Sequence, residues 1–150
     1  MRLYLSNNTP KYMSEFINYA ACYLGLDKLR GEISITYKTT LEEEAYGLCW
    51  GDRQECEIHI GSRSFGAKIS RENKLKTVAH ELTHAYQYLT GKLKCNPEPD
   101  DLDIEWVSVW EGERHEYKPA EESQEPWELE AVHFENEVYY CYLEDKDLYK

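Results

Sequence analysis

From Ser70 to Gly91 the chain reads SRENKLKTVAHELTHAYQYLTG, and no other stretch constrains the fold as tightly. Leu75, Val78, Ala79, Leu82, Ala85 and Leu89 recur at helical spacing and make one continuous apolar stripe. Ser70 stands where an N-cap is needed, Glu72 falls in the first turn, and Gly91 sits just past the end. A helix with one apolar stripe is stable only against another apolar surface. The segments before it supply that surface. In EISITYK, Ile33, Ile35 and Tyr37 alternate with Ser34 and Thr36, and AYGLCWG alternates likewise. In CEIHIG, Cys56, Ile58 and Ile60 share one face while Glu57 and His59 share the other. The gaps between these segments are too short for helical crossovers, which predicts an antiparallel sheet.

Further elements flank this unit. Tyr12, Phe16, Tyr19, Ala20, Tyr23, Leu24 and Leu26 carry a helical period over residues 11–29, with Gly25 near its end. CNPEPDD is a loop rich in proline and acid, and DDLDIE lacks the ligand spacing and central glycine of a calcium loop. DIEWVSVW and ERHEYKP predict a strand pair turning at Glu111-Gly112. Pro126 suits the first turn of a last helix running from about Trp127 to about Leu143. Trp106, Trp110 and Trp127 are expected in the core, and Glu42-Glu43-Glu44 in a solvated turn. The expected class is α+β: a mainly antiparallel sheet packed against the central helix, with N- and C-terminal helices. No repeat or long linker divides the chain, so residues 1–150 are read as one domain.

Composition narrows the function classes. At 150 residues the chain can bury a core without disulfides, and its five cysteines (Cys22, Cys49, Cys56, Cys95, Cys141) show no Cys-x-x-Cys spacing. They read as reduced, mostly buried thiols. The net charge of −12 argues against a nucleic-acid partner, which calls for clustered Lys and Arg; it suits a basic protein or peptide, and equally suits a small domain that the charge merely keeps in solution. No apolar run approaches the ~18 residues of a membrane span. MRLYL does not read as a signal peptide, so a cytoplasmic location is expected. Oligomeric state is not legible from these features.

The chemistry lies in the helix. His80 and His84, at i and i+4, present two imidazoles to one point, as two nitrogen ligands of a tetrahedral zinc require. Glu81 falls one step round, where a carboxylate takes a proton from metal-bound water without occupying a coordination position. The plain alternative is an amphipathic helix with two surface or core histidines. The H-E-x-x-H pattern in a capped helix after a sheet favours the metal site. A catalytic zinc needs a third protein ligand, and AYQYLTGKLKCN, which follows His84, contains no His, Asp or Glu. His59, His115 and the glutamates of PWELEAVHFE are therefore the candidates.

HELTH followed downstream by Glu128-Leu129-Glu130-Ala131 resembles the glutamate-ligand zincins (gluzincins), such as the ImmA/IrrE-type metallopeptidases. VWEGERHEYKPAEESQEPWELEA is also similar to small SprT-like or phage-encoded metallopeptidases. The likeness covers roughly residues 54–143. It implies a zincin-like fold, a Zn2+ cofactor and hydrolysis of peptide bonds in a protein or peptide substrate, with Glu81 as general base. By carry-over of the E-x-x-A pattern, Glu128 is the third zinc ligand beside His80 and His84. Glu130 is its rival, with His133 on the same face. In zincins an extended substrate usually pairs with the edge strand before the active-site helix, which here implies CEIHI. An oxyanion donor is needed as well. Tyr86, Tyr88, His115, His133 and Tyr139 are open choices. The acidic chain lacks the basic region of SprT proteins. Two further readings stand beside the peptidase: a non-catalytic acidic binding or inhibitor protein with a structural zinc, and a toxin-antitoxin or repressor-regulating protease of the ImmA/IrrE kind.

Overall fold

The computed structural model describes residues 1–95, 107–116 and 119–146. Among the described residues, three α-helices and several sheets make a mixed fold, compatible with the α+β class. The chain opens with a strand that its short length hides in the sequence, β1 (Arg2–Leu5). Helix α1 (Lys11–Tyr23) follows. It stops earlier than its apolar period suggests, because Gly25 takes a left-handed conformation (φ 77°) and a short 3-10 turn covers Leu26–Lys28. Then come β2 (Glu32–Lys38), β3 (Gly47–Gly51) and β4 (Glu55–Gly61). Glu42-Glu43-Glu44 lies between β2 and β3 as a tight 3-10 turn.

The main sheet is mixed, which corrects the expected antiparallel arrangement. Its order is β1-β2-β4-β3; β1 and β2 are parallel, β2 and β4 are parallel, and only β3–β4 is antiparallel. Helix α1 makes the crossover from β1 to β2, the usual connection between parallel neighbours. Between β2 and β4 the crossover is made by residues 39–54, which include β3. That strand runs out to the sheet edge and returns through a tight turn, so β4 slots between its predecessors. Short gaps rule out a helical crossover but not a strand serving as one. The alternation of β4 is as expected, with Cys56, Ile58 and Ile60 buried.

After the small hairpin of β5 (Arg63–Ser64) and β6 (Ala67–Lys68), helix α2 spans Arg71–Leu89. The Ser70 hydroxyl accepts the Asn73 N–H at 3.1 Å, and Gly91 takes a left-handed φ of 76° just beyond the C-cap. Leu75, Val78, Ala79, Leu82, Ala85 and Leu89 are all buried, so the stripe lies where its spacing puts it. Burying each such leucine contributes roughly 1.5–3 kcal/mol. One side of α2 packs on β3 and β4, and another on α3 (Pro126–Asp145), where Pro126 opens the helix. Phe16 of α1 meets Tyr142 of α3 edge to face at 5.0 Å, and the Tyr19 hydroxyl donates to Asp145. These contacts fix α3 against α1.

A second sheet holds β7 (Leu93–Cys95), β8 (Val107–Trp110) and β9 (Glu113–Glu116), antiparallel throughout. Its β8–β9 turn is at Glu111-Gly112, both with positive φ. Trp110 is buried and lies 6.2 Å from the ring of partly buried Trp127, whereas Trp106, most of CNPEPDD and all of DDLDIE fall outside the described residues. Of Cys22, Cys49, Cys56 and Cys141, only Cys56 is buried and Cys22 is exposed, which corrects the mostly buried reading. No described helix is long and apolar enough to cross a membrane.

Candidate metal centre

His80 and His84 sit one turn apart on α2 and turn their Nε2 atoms to within 3.2 Å of each other. Glu128, in the first turn of α3, closes the cluster. Its Oε2 lies 3.2 Å from His80 Nε2, and its Oε1 lies 3.0 Å from His84 Nε2. Each residue offers a ligand atom within 4.8 Å of the others. Glu130 goes elsewhere: Lys92 Nζ is 2.6 Å from its Oε2, and Gln87 Nε2 donates to its Oε1 at 3.1 Å. The first glutamate of ELEA therefore meets the histidines and the second does not.

The outer nitrogens of both rings are engaged. His80 Nδ1 is 2.9 Å from Glu135 Oε1 and His84 Nδ1 is 2.8 Å from Gln87 Oε1. Carboxylate and amide oxygens only accept, so each Nδ1 carries the hydrogen. In the neutral imidazole this leaves a lone pair on each Nε2. Two lone pairs and a carboxylate converge, an arrangement that demands a proton or a cation between them. Two imidazoles with one carboxylate are also the donor set of a catalytic zinc, so the residues fit such an ion.

Without a metal the cluster binds protons. Burial opposes charge on His80, but hydrogen bonds to Glu128 and Glu135 outweigh it and raise its pKa to about 10. His84 moves upward for the same balance of reasons, with Glu128 as its hydrogen-bonding partner. Burial works against the Glu128 carboxylate too, yet the two imidazoles bring its pKa down to about 2. Glu81 is 7% exposed, and that burial raises its pKa despite the nearby histidines.

Glu81 faces β3. A Cβ on Gly47 would stand 2.5 Å from Thr77 Cγ2, 3.0 Å from Glu81 Cγ and 3.1 Å from Glu81 Oε1. Only glycine lets the strand approach the helix this closely. This strand also corrects the expected substrate ledge. CEIHI is β4, whose two edges are taken by β2 and β3, whereas β3 among the described residues pairs with β4 alone.

The remaining candidates lie apart from the cluster or in the packing. His59 is on the far face of β4, with Glu57 Oε1 at 3.1 Å and the Trp50 ring at 4.7 Å. His115 packs edge-on to Trp127 at 5.4 Å, its Nε2 buried with no hydrogen-bond partner among the described residues. His133 is exposed and lies 3.7 Å from Glu137. Tyr88 and Tyr139 are buried in the core, and Tyr86 packs partly buried against it. Sequence reasoning did not single out Glu135, Gln87 or Gly47. Glu135 lies two turns beyond Glu128, hence on its face, and Gln87 is at i+3 from His84; both spacings are signals that could have found them. No protein-family model and no curated protein matches the chain.

Proposed function

We propose that the protein is a zinc-dependent metallopeptidase of the gluzincin kind, acting on a protein or peptide in the cytoplasm. The convergence of His80 Nε2, His84 Nε2 and the Glu128 carboxylate, with buried Glu81 next to His80 in the helix, carries this reading. His80, His84 and Glu128 would hold the ion. A zinc ion supplies Lewis-acid polarisation of the scissile carbonyl and a nucleophilic water near neutral pH. Glu81, a stronger base for its burial, takes a proton from the attacking water on a carboxylate oxygen and returns it to the leaving amide nitrogen. One water is consumed and one C–N bond is broken. Strand β3, which among the described residues stands last in the main sheet, passes beside Glu81 and is where an extended peptide would run.

The net charge of −12 favours a second reading, an acidic binding protein with a structural zinc, though such a site has no use for a buried base beside it. One experiment separates the two. Purified without chelator, the protein is expected to carry close to one zinc, and Glu81→Gln to keep the metal while losing cleavage of a mixed peptide library. Zinc below about half an equivalent overturns the metal centre. Zinc retained with no cleavage by the unaltered protein favours the binding module.

A further inference from the structure

His84 reaches its outer partner through a neutral amide, and an amide has two ends. Gln87 is fully buried, so every polar atom it carries needs a defined partner. Its Nε2 lies 3.0 Å from the Trp127 carbonyl oxygen and 3.1 Å from Glu130 Oε1. Both of those atoms only accept, so both amide hydrogens are committed and Oε1 must be the end that faces His84. Lys92 Nζ, 2.6 Å from Glu130 Oε2, takes the other oxygen of that carboxylate. A line of fixed polarity thus runs from Lys92 through Glu130 and Gln87 to His84 Nδ1, and ends at the His84 Nε2 lone pair.

We propose that Glu130 and Gln87 are positioning residues that lock His84 in the tautomer able to bind a metal, Glu130 acting solely through the orientation of the Gln87 amide. This rests on the metal-site reading above. His80 does not need such a relay, because Glu135 Oε1 meets its Nδ1 directly and a carboxylate has no donor end.

The relay makes an unusual demand of position 130. In Glu130→Gln the Lys92 ammonium draws the new amide oxygen toward itself, which turns the new NH2 toward Gln87. The Gln87 amide then flips to accept from it, presents NH2 to His84 Nδ1, and moves the imidazole hydrogen onto Nε2, where the metal should bind. The Trp127 carbonyl resists the flip by losing its donor, so the loss is partial. In Glu130→Ala no donor is introduced, the Trp127 carbonyl still holds Gln87 Nε2, and the working tautomer remains. The near-isosteric change is therefore expected to do more harm than the truncation. A residue that served only packing or fold would give the opposite order.

The test measures zinc affinity by competition with a chromophoric chelator for the unaltered protein, Glu130→Gln and Glu130→Ala, with thermal melts to compare folding. Glu130→Gln should bind zinc on the order of ten- to a hundredfold more weakly than the unaltered protein. Glu130→Ala should stay within a few-fold of it. In parallel, long-range 1H–15N spectra of the metal-free proteins at alkaline pH report the His84 tautomer: hydrogen on Nδ1 in the unaltered protein and Glu130→Ala, shifted toward Nε2 in Glu130→Gln. Equal affinities, or weaker binding by Glu130→Ala, would overturn the relay, as would an unchanged His84 tautomer in Glu130→Gln. If the unaltered protein binds no zinc, the metal reading fails, while the spectra still decide whether Glu130 sets the tautomer.

Discussion

His80 and Glu128 hold opposite charges in the metal-free protein, and their displaced pKa values set the pH behaviour of the site. His80 titrates near 10 in the folded chain against an ordinary 6.5, so its contribution to stability is complete below 6.5 and disappears as pH rises through 10. Glu128 titrates near 2 against an ordinary 4.5, so its contribution is complete above 4.5 and is lost as pH falls through 2. The pair is thus fully effective between 4.5 and 6.5. Zinc must expel the proton from His80 before it can bind, so its affinity has the opposite slope. Between pH 6.5 and 10 the melting temperature of the chelated protein should fall while zinc affinity rises, approaching tenfold per pH unit for each proton displaced. Melts with chelator and competition titrations across that interval check both slopes; parallel slopes would mean that protons and zinc do not share the site. At this scale the sequence was informative where the geometry is local. Two histidines at i and i+4 must face one point in any helix, and Glu81 must stand beside it. That Glu128 rather than Glu130 meets them depends on how α3 is rotated against α2, and Lys92 takes part in that choice from outside both helices. No spacing within ELEA encodes it.

Gly47 joins strand β3 to the helix that bears the candidate base. Gly47→Ala would press a methyl into Thr77 Cγ2 and against Glu81, and Thr77 is β-branched, with little rotamer freedom in a helix. The strand and helix must part, at a cost of about 1–3 kcal/mol, and Glu81 must shift. Zinc binding should survive, because the three nearest atoms belong to Thr77 and Glu81 and none to His80, His84 or Glu128, while peptide cleavage should drop at least tenfold. Thr77→Ser in the Gly47→Ala background removes the closest methyl and keeps a hydroxyl for the Asn73 carbonyl, which Thr77 Oγ1 now meets at 2.7 Å. The double variant should regain most of the lost stability and little of the activity, since the contacts with Glu81 remain. Urea melts and cleavage assays separate the two effects; full recovery of activity would assign the damage to Thr77 alone. The elements themselves were readable from alternation, helical period and caps, as α2 illustrates from Ser70 to Gly91. The order of strands was not. Alternation says which face of β4 is buried, but both β2 and β3 offer it a compatible partner, so alternation does not say which neighbour is parallel.

In the whole molecule the cluster spans a seam. Two of its residues belong to α2 and the third to α3, while the apolar core runs through α1, the main sheet, α2 and the buried face of α3. That core is extensive enough to hold the fold by itself, unlike the small domains that a structural zinc must organise. The metal would act as a clasp on one end of one helix. Free zinc at a hundred times its dissociation constant adds about 2.7 kcal/mol to stability by mass action. The distribution of that gain is the informative part. The C-terminal half of α3 is tied down by Phe16–Tyr142 and Tyr19–Asp145, whereas its N-terminal turns are held by Glu128, the Trp127 carbonyl and Glu130 together with the packing of the Trp127 ring and Ala131. Chelation should therefore lower the melting temperature without removing helical circular dichroism. It should speed amide exchange in the turns around Glu128–Val132 far more than in β4 or near Tyr142. Hydrogen-exchange mass spectrometry with and without chelator makes the comparison. Uniform loss of protection would make the metal part of the core, and no change at Glu128–Val132 would remove it from the seam. The protonated His80–Glu128 contact softens the difference below pH 6.5, so the contrast should grow as pH rises toward 10, where the metal-free seam has lost the charge that holds it.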